Sequence, residues 1–174
     1  MKSILFTCAL TLSVALFSQG ASASTARIAV GNPAPTFTYH LLGGKRLNPN
    51  QLQGRKYILW VMATWCPSCT TGSQVVAQHL AELRRHHVAL VEMEAYDDLG
   101  ASGPSLQSIK DGIGNAAAAS NWYWGILSQE QTLAIDPKSS PDVFYLIDAH
   151  GKVVSQGMAP GAHWDQVESF ISAP

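Results

Sequence analysis

The apolar residues of this chain fall into short blocks whose spacing alternates between that of strands and that of helices. Residues 57–62 (YILWVM) are apolar without interruption, the pattern of a strand covered on both faces. Residues 143–147 (VFYLI) repeat it, and 88–94 form a further strand. Between the first and the last of these, Val75, Val76, Leu80 and Leu83 recur at helical spacing from a start near Pro67. Gln74, Gln78, Glu82 and Arg85 fill the intervening positions, which predicts a helix with one buried and one wet face. Upstream, residues 27–30 read as extended, 31–35 (GNPAP) as a turn and 37–40 as a strand, and Gly43-Gly44 turns the chain back towards Lys45-Arg46-Leu47. Asn48 followed by Pro49 is a cap and first-turn signature for a short helix ending near Gly54.

Downstream, Leu106, Ile109 and Ile113 are spaced for a helix that Pro104 starts, although residues 99–120, rich in Gly, Ala and Ser, carry the weakest pattern. Ser128 with Gln131 makes a capping box for a short helix through Leu133. Residues 148–151 turn the 143–147 strand into another at 153–156, and 164–171 close the chain as a helix. With no internal repeat and no linker, this alternation reads as an α/β fold in one piece.

The first residues break the alternation. Met1-Lys2 is a short positive start, residues 4–17 are an apolar run, and Ala21-Ser22-Ala23 is a small-x-small exit. This is the pattern of a secretory signal peptide cleaved after Ala23, with Ala26 as the next choice. Residues 1–23 are therefore expected to be a leader and 24–174 the mature domain. The run falls short of the roughly 20 apolar residues needed to span a bilayer, so no membrane span is expected after its removal. Cys8 stands too early in the run, behind Leu5-Phe6-Thr7, for a lipoprotein signal.

Composition narrows the classes. Eleven Lys plus Arg balance twelve Asp plus Glu within 174 residues, which excludes the basic footprint of a nucleic-acid binder. Charged residues are only 13% of the chain, about half the usual share. Loss of Lys2 with the leader takes the net charge from -1 to -2. Cys8 leaves too, so of 3 cysteines only Cys66 and Cys69 remain. A disulfide spanning so small a loop constrains the unfolded chain little, which makes this pair a poor structural staple in an exported protein.

The pair stands in Trp65-Cys66-Pro67-Ser68-Cys69, where a buried strand hands over to a helix. A cysteine at a helix N-terminus meets free backbone N–H groups and a partial positive charge that favour its thiolate. Cys66 is then the nucleophile for a substrate disulfide, and Cys69, one turn further in, resolves the mixed disulfide. Pro67 suits the first helical position. The alternatives are a plain buried disulfide, or zinc, which requires four ligands where one pair exists.

Residues 31–37 (GNPAPTF), Gly54-Arg55-Lys56, 63–69 (ATWCPSC), 140–148 (SPDVFYLID) and Gly151-Lys152-Val153 together resemble the TlpA/ResA-like branch of the thioredoxin superfamily. These are exported thiol-disulfide oxidoreductases. The resemblance implies a thioredoxin fold, with a central mixed sheet flanked by helices, an N-terminal β-hairpin extension and an insertion before the strand that follows a cis-proline. It places that cis-proline at Pro141 and leaves the Ser140 backbone free to pair with an extended substrate segment. Trp65, with Pro67 and Ser68, would shield Cys66 and contact substrate. No cofactor is implied beyond the cysteine pair. The implied partners are protein thiols and disulfides of the cell envelope, periplasmic by location, and a membrane electron donor or acceptor.

Departures from the family leave the direction of electron flow open. The buried acid usual six positions before the first cysteine is Trp60, and the Glu usual three positions after the second is Gly72. Glu92 and Glu94 are the candidate substitutes, with Glu94 expected to be simply exposed at its strand exit. The resemblance favours a reductant, with apocytochrome c among its substrates; an oxidant or isomerase is the alternative. From another class, His79, His86, His87, His150 and His163 raise a copper carrier, which resembles a Cys-x-x-x-Cys spacing instead, and a silent scaffold is the remaining rival. Peroxiredoxins share the Ala-Pro-x-Phe opening but need a Thr where Ala63 stands. Trp122-Tyr123-Trp124 fits either a core end or a substrate groove.

Overall fold

A computed structural model describes residues 27–173, so the expected leader at 1–23 lies outside the described residues. The uninterrupted apolar runs form the middle of one mixed sheet. β3 (Tyr57–Met62) pairs in parallel with β4 (Ala89–Glu94) and antiparallel with β6 (Val143–Ile147), and every residue of β3 and β6 is buried. β7 (Val153–Met158) continues the sheet beyond β6, and its alternating burial marks it as the edge with one wet face.

The opposite flank begins with β5 (Trp122–Ile126), parallel to β4 and not anticipated as a strand. The N-terminal hairpin of β1 (Tyr39–Leu41) and β2 (Arg46–Leu47) docks on it, giving the order β2-β1-β5-β4-β3-β6-β7. The sequence hid β5 because Trp122 and Trp124 are core residues stacked at 4.7 Å on one face, while Gly125 interrupts the run. A side chain at 125 would collide with the His40 carbonyl of β1, so the residue that weakens the strand pattern is the one that lets β1 approach.

Each face of the sheet carries its own core. On one, Ile58, Trp60, Met62 and Leu90 pack under α1 (Pro67–Gln78), α2 (Leu80–Arg85), α3 (Leu106–Ile113) and α5 (Trp164–Ser172). On the other, Leu59, Val61, Val91 and Met93 are covered by the N-terminal segment, including Leu47 and Leu52, and by α4 (Gln129–Ile135). The capping boxes at Asn48 and Ser128 are both formed. The single helix expected from Pro67 onwards is broken at His79, whose ring stacks on Trp164 of the last helix at 4.1 Å.

The predicted cis-proline is corrected. Among the described residues no peptide bond is cis, so Ser140–Pro141 is trans. The chain makes its turn into β6 with positive φ at Ser139 (50°) and Asp142 (73°) on either side of the proline.

Candidate active site

The site is built where β3 ends and α1 begins. Cys66 is the N-cap of α1 and Pro67 its first residue, so the ring replaces an N–H that has no helical partner. The amides of Cys69 and Thr70 both donate to the Cys66 carbonyl, at 3.2 and 3.3 Å. Both cysteines are unbonded thiols and both are buried, Cys69 completely. Trp65, Pro67 and Ser68 are exposed around them.

Three neighbours decide the chemistry. Ser68 Oγ lies 3.1 Å from Cys66 Sγ and donates to Asp142 Oδ2 at 2.5 Å. The indole of Trp60 donates to Asp142 Oδ1 at 2.9 Å. Cys66 Sγ, Cys69 Sγ and an Asp142 oxygen all lie within 4.8 Å of one another. Burial pushes the Cys69 thiol well up, and its hydrogen bond with Cys66 and the Asp142 charge push the same way. Asp142 is likewise raised by burial, opposed by hydrogen bonds from Ser68, Trp60 and Cys69.

Trp60 and Gly72, the two departures from the family pattern, are in contact. A Cβ at position 72 would meet the Trp60 ring at 3.1 Å, and Gly161 packs closely against the Gly72 backbone. The indole fills the space beside Gly72, and its N–H holds the carboxylate of Asp142, just before β6. Asp142 was missed by sequence reasoning, although it stands inside the matched stretch 140–148. The available signal was an acid set directly against the apolar run VFYLI.

Glu92, one of the two proposed substitutes, is buried beneath α1. Its carboxyl is bonded to Ser73 Oγ at 2.6 Å and Trp122 Nε1 at 2.9 Å, and is pushed up to about 8, chiefly by burial. Ser73 also bonds the Cys69 carbonyl, at 3.1 Å. Glu94 is half-buried rather than exposed, and is raised to about 6 by burial and by the charge of Asp98.

The insertion between β4 and β6 clasps the other side of the motif. Asp98 accepts from the Thr64 amide and hydroxyl, each at 2.6 Å, and its carbonyl accepts from Trp65 Nε1 at 2.6 Å. Asp97, Asp98 and Leu99 all have positive φ, and the Asp98 carboxylate within this turn is buried. Gly103 is so close to the Thr64–Trp65 backbone that any side chain there would clash.

Ser140 and Pro141 are half-buried at the entrance to β6, beside Asp142. The Asp136 carboxyl, buried nearby, is raised chiefly by burial, opposed by the backbone amides of Ser140 and Lys138. Trp122 and Trp124 belong to one core, and Tyr123, half-buried, packs against the other on the opposite face of the sheet. The histidines lie elsewhere: His79 on Trp164, His86 at the end of α2, His150 in the β6–β7 turn and His163 against the Met158 carbonyl. Among the described residues, the only cluster of His, Cys and acidic donor atoms is Cys66, Cys69 and Asp142. Each Asp142 oxygen accepts one hydrogen bond, from Trp60 and from Ser68.

Residues 29–168 match the Redoxin family. Among solved structures, a thioredoxin-family thiol:disulfide interchange protein from Chlorobium tepidum superposes with a TM-score of 0.61 at 22% identity, over 83% of this chain and 98% of that one. A secreted Mycobacterium tuberculosis disulfide oxidoreductase homologous to E. coli DsbE superposes with 0.60 at 19% identity, over 80% and 96%. DsbF of M. tuberculosis gives 0.58 at 18% identity, over 79% and 96%. No curated protein matches the sequence. The shared architecture is the thioredoxin fold, with the N-terminal hairpin and the insertion both present.

Proposed function

The chain belongs to the Redoxin family and is a thiol-disulfide oxidoreductase, and from that premise we propose that it works in the cell envelope as a reductant of protein disulfides. Cys66 attacks and Cys69 resolves, with Trp65, Pro67, Ser68, Ser140 and Pro141 forming the surface that meets the substrate. Export rests on the leader pattern at 1–23, and a membrane protein that resupplies electrons is the partner this location requires. A cytochrome c precursor is the first substrate to test, because the family resemblance names it.

The observation that supports the direction is Asp142. Oxidants of this fold keep their reduced form stable by stabilising a thiolate. Here burial and an adjacent carboxylate raise the Cys69 thiol instead. The thiolate stabilisation that gives such oxidants their potential is therefore not found at Cys69.

Equilibration with dithiothreitol and glutathione is the test. A midpoint near thioredoxin's, about -270 mV, is expected, whereas one near DsbA's, about -120 mV, would reverse the direction. A pair that neither couple oxidises or reduces sinks the exchange reading altogether. Cys69→Ser should trap mixed disulfides with envelope proteins, since attack then proceeds without resolution.

A further inference from the structure

The hydroxyl of Ser68 has one hydrogen and two neighbours that compete for it. At 2.5 Å from Asp142 Oδ2 it makes the short hydrogen bond characteristic of a carboxylate acceptor. Cys66 Sγ, 3.1 Å away, must then be the donor to Ser68. If Cys66 is instead a thiolate, Ser68 turns its hydrogen to the sulfur and the carboxyl must carry a proton to hold the serine. The string Cys66–Ser68–Asp142 therefore has two complete proton arrangements, and passing between them moves one proton from sulfur to carboxylate. Cys69 Sγ lies within 4.8 Å of the same carboxylate, with no residue between them in the relay. Trp60, donating to Oδ1 at 2.9 Å, fixes the group in place without offering an alternative proton.

We propose that Asp142 is the catalytic base for both half-reactions, reached from Cys66 through the Ser68 hydroxyl and from Cys69 across the short gap between its sulfur and the carboxylate. This rests on the exchange activity proposed above, and it holds for either direction of electron flow. In the reducing direction Cys66 passes its proton through Ser68 to Asp142, and the thiolate attacks a substrate disulfide. A Cys66–substrate bond forms, the substrate S–S bond breaks, and the departing thiolate takes up the proton, which restores the carboxylate. Cys69 then gives its proton to Asp142 and attacks Cys66 Sγ. The Cys66–Cys69 disulfide forms, the mixed disulfide breaks, and the second substrate thiolate takes up that proton. Two electrons pass from the protein dithiol to the substrate, and Asp142 holds no more than one extra proton at any point.

The groups facing Asp142 are few. Cys66, Ser68 and Cys69 approach from α1, Trp60 from β3, and Glu92 on β4 is near enough to feel its charge. Glu92 has both oxygens engaged by Ser73 and Trp122, away from the sulfurs.

The test is stopped-flow oxidation of the reduced full-length mature protein by glutathione disulfide between pH 5 and 9. Formation of the mixed disulfide and its closure by Cys69 are resolved separately by acid quench and mass spectrometry. In the wild type, closure should rise with pH and level off once Asp142 is ionised. Asp142→Asn should close at least tenfold more slowly at pH 7, rising tenfold per pH unit without levelling. Ser68→Ala should slow the Cys66 step about fivefold and leave closure unchanged.

A carboxylate acting by charge alone predicts the opposite, since its removal would ease Cys69 ionisation and speed closure. Faster closure in Asp142→Asn, or an unchanged pH profile, overturns the proposal. Near-ultraviolet circular dichroism checks the fold of that buried variant. Should it fail to fold, the exposed Ser68→Ala decides, and an unaltered Cys66 step overturns the relay. Wild-type protein inert to glutathione disulfide would instead count against the exchange activity itself.

Discussion

Asp142, in the turn that enters β6, and Glu92, on β4, are both buried acids beside β3, and burial raises both above the ordinary carboxylate range. Their surroundings differ in one respect. The Asp142 carboxylate connects through exposed Ser68 to Cys66 and lies within 4.8 Å of the Cys69 sulfur, whereas the Glu92 oxygens end on Ser73 and Trp122 inside the core. Ser73 carries one hydroxyl hydrogen yet lies within bonding distance of both the Cys69 carbonyl and Glu92 Oε1. A protonated Glu92 donating to Ser73, which donates to the carbonyl, satisfies all three groups. Desolvation alone therefore makes an acid a neutral core residue. Contact with a reacting atom makes it a participant.

The largest test of this contrast is the pH dependence of stability. Glu92 titrates at about 8 in the folded protein against 4.5 as its reference value. Between those values the unfolded chain has lost a proton that the folded chain keeps, so stability falls as pH rises. The slope is about 1.4 kcal/mol per pH unit, about 5 kcal/mol across the window. Glu92→Gln should lack that slope, and its advantage over the wild type in urea denaturation should grow from pH 5 to pH 8. Parallel stability profiles would mean that Glu92 is ionised in the fold.

Next in size is Gly72→Glu, which returns an acid to the position from which the family draws it. The Trp60 ring already occupies that space, so overpacking should cost about 3 kcal/mol in the same denaturation assay. A variant as stable as the wild type would show that β3 and α1 leave room for an acid after all.

Trp60→Phe and Trp122→Phe each strip one donor from one of the two acids, and each should cost about 2 kcal/mol. Only Trp60→Phe should alter the rate at which Cys69 closes the disulfide; equal effects on closure would erase the distinction drawn between the two acids. The smallest effect belongs to Ser73→Ala, about 1 kcal/mol of stability, with the rate of Cys66 alkylation by iodoacetamide unchanged.

Much of the fold was legible because burial on both faces leaves a direct mark. The runs YILWVM and VFYLI became β3 and β6 with the boundaries read from them, and the Ser128–Gln131 box formed as expected. β5 was not legible, since a strand that admits another backbone at a glycine loses the pattern that announces strands. The turn at Pro141 was read from family likeness, and positive φ at Ser139 and Asp142 does the turning instead. His79 broke a helix whose periodicity ran straight through it, because its ring found Trp164 from the far end of the chain.

The sequence by itself determined the reactive pair, since two cysteines three apart at a strand-to-helix junction are a local feature with local chemistry. It also determined that the usual acids were missing, with Trp60 and Gly72 in their positions. Only the tertiary structure decided what replaced them. Asp142 lies 73 positions beyond Cys69 along the chain, and antiparallel pairing of β6 with β3 brings it under the sulfurs. Its ionisation is set by burial and by hydrogen bonds from Trp60 and Ser68, quantities that exist only once the chain is packed.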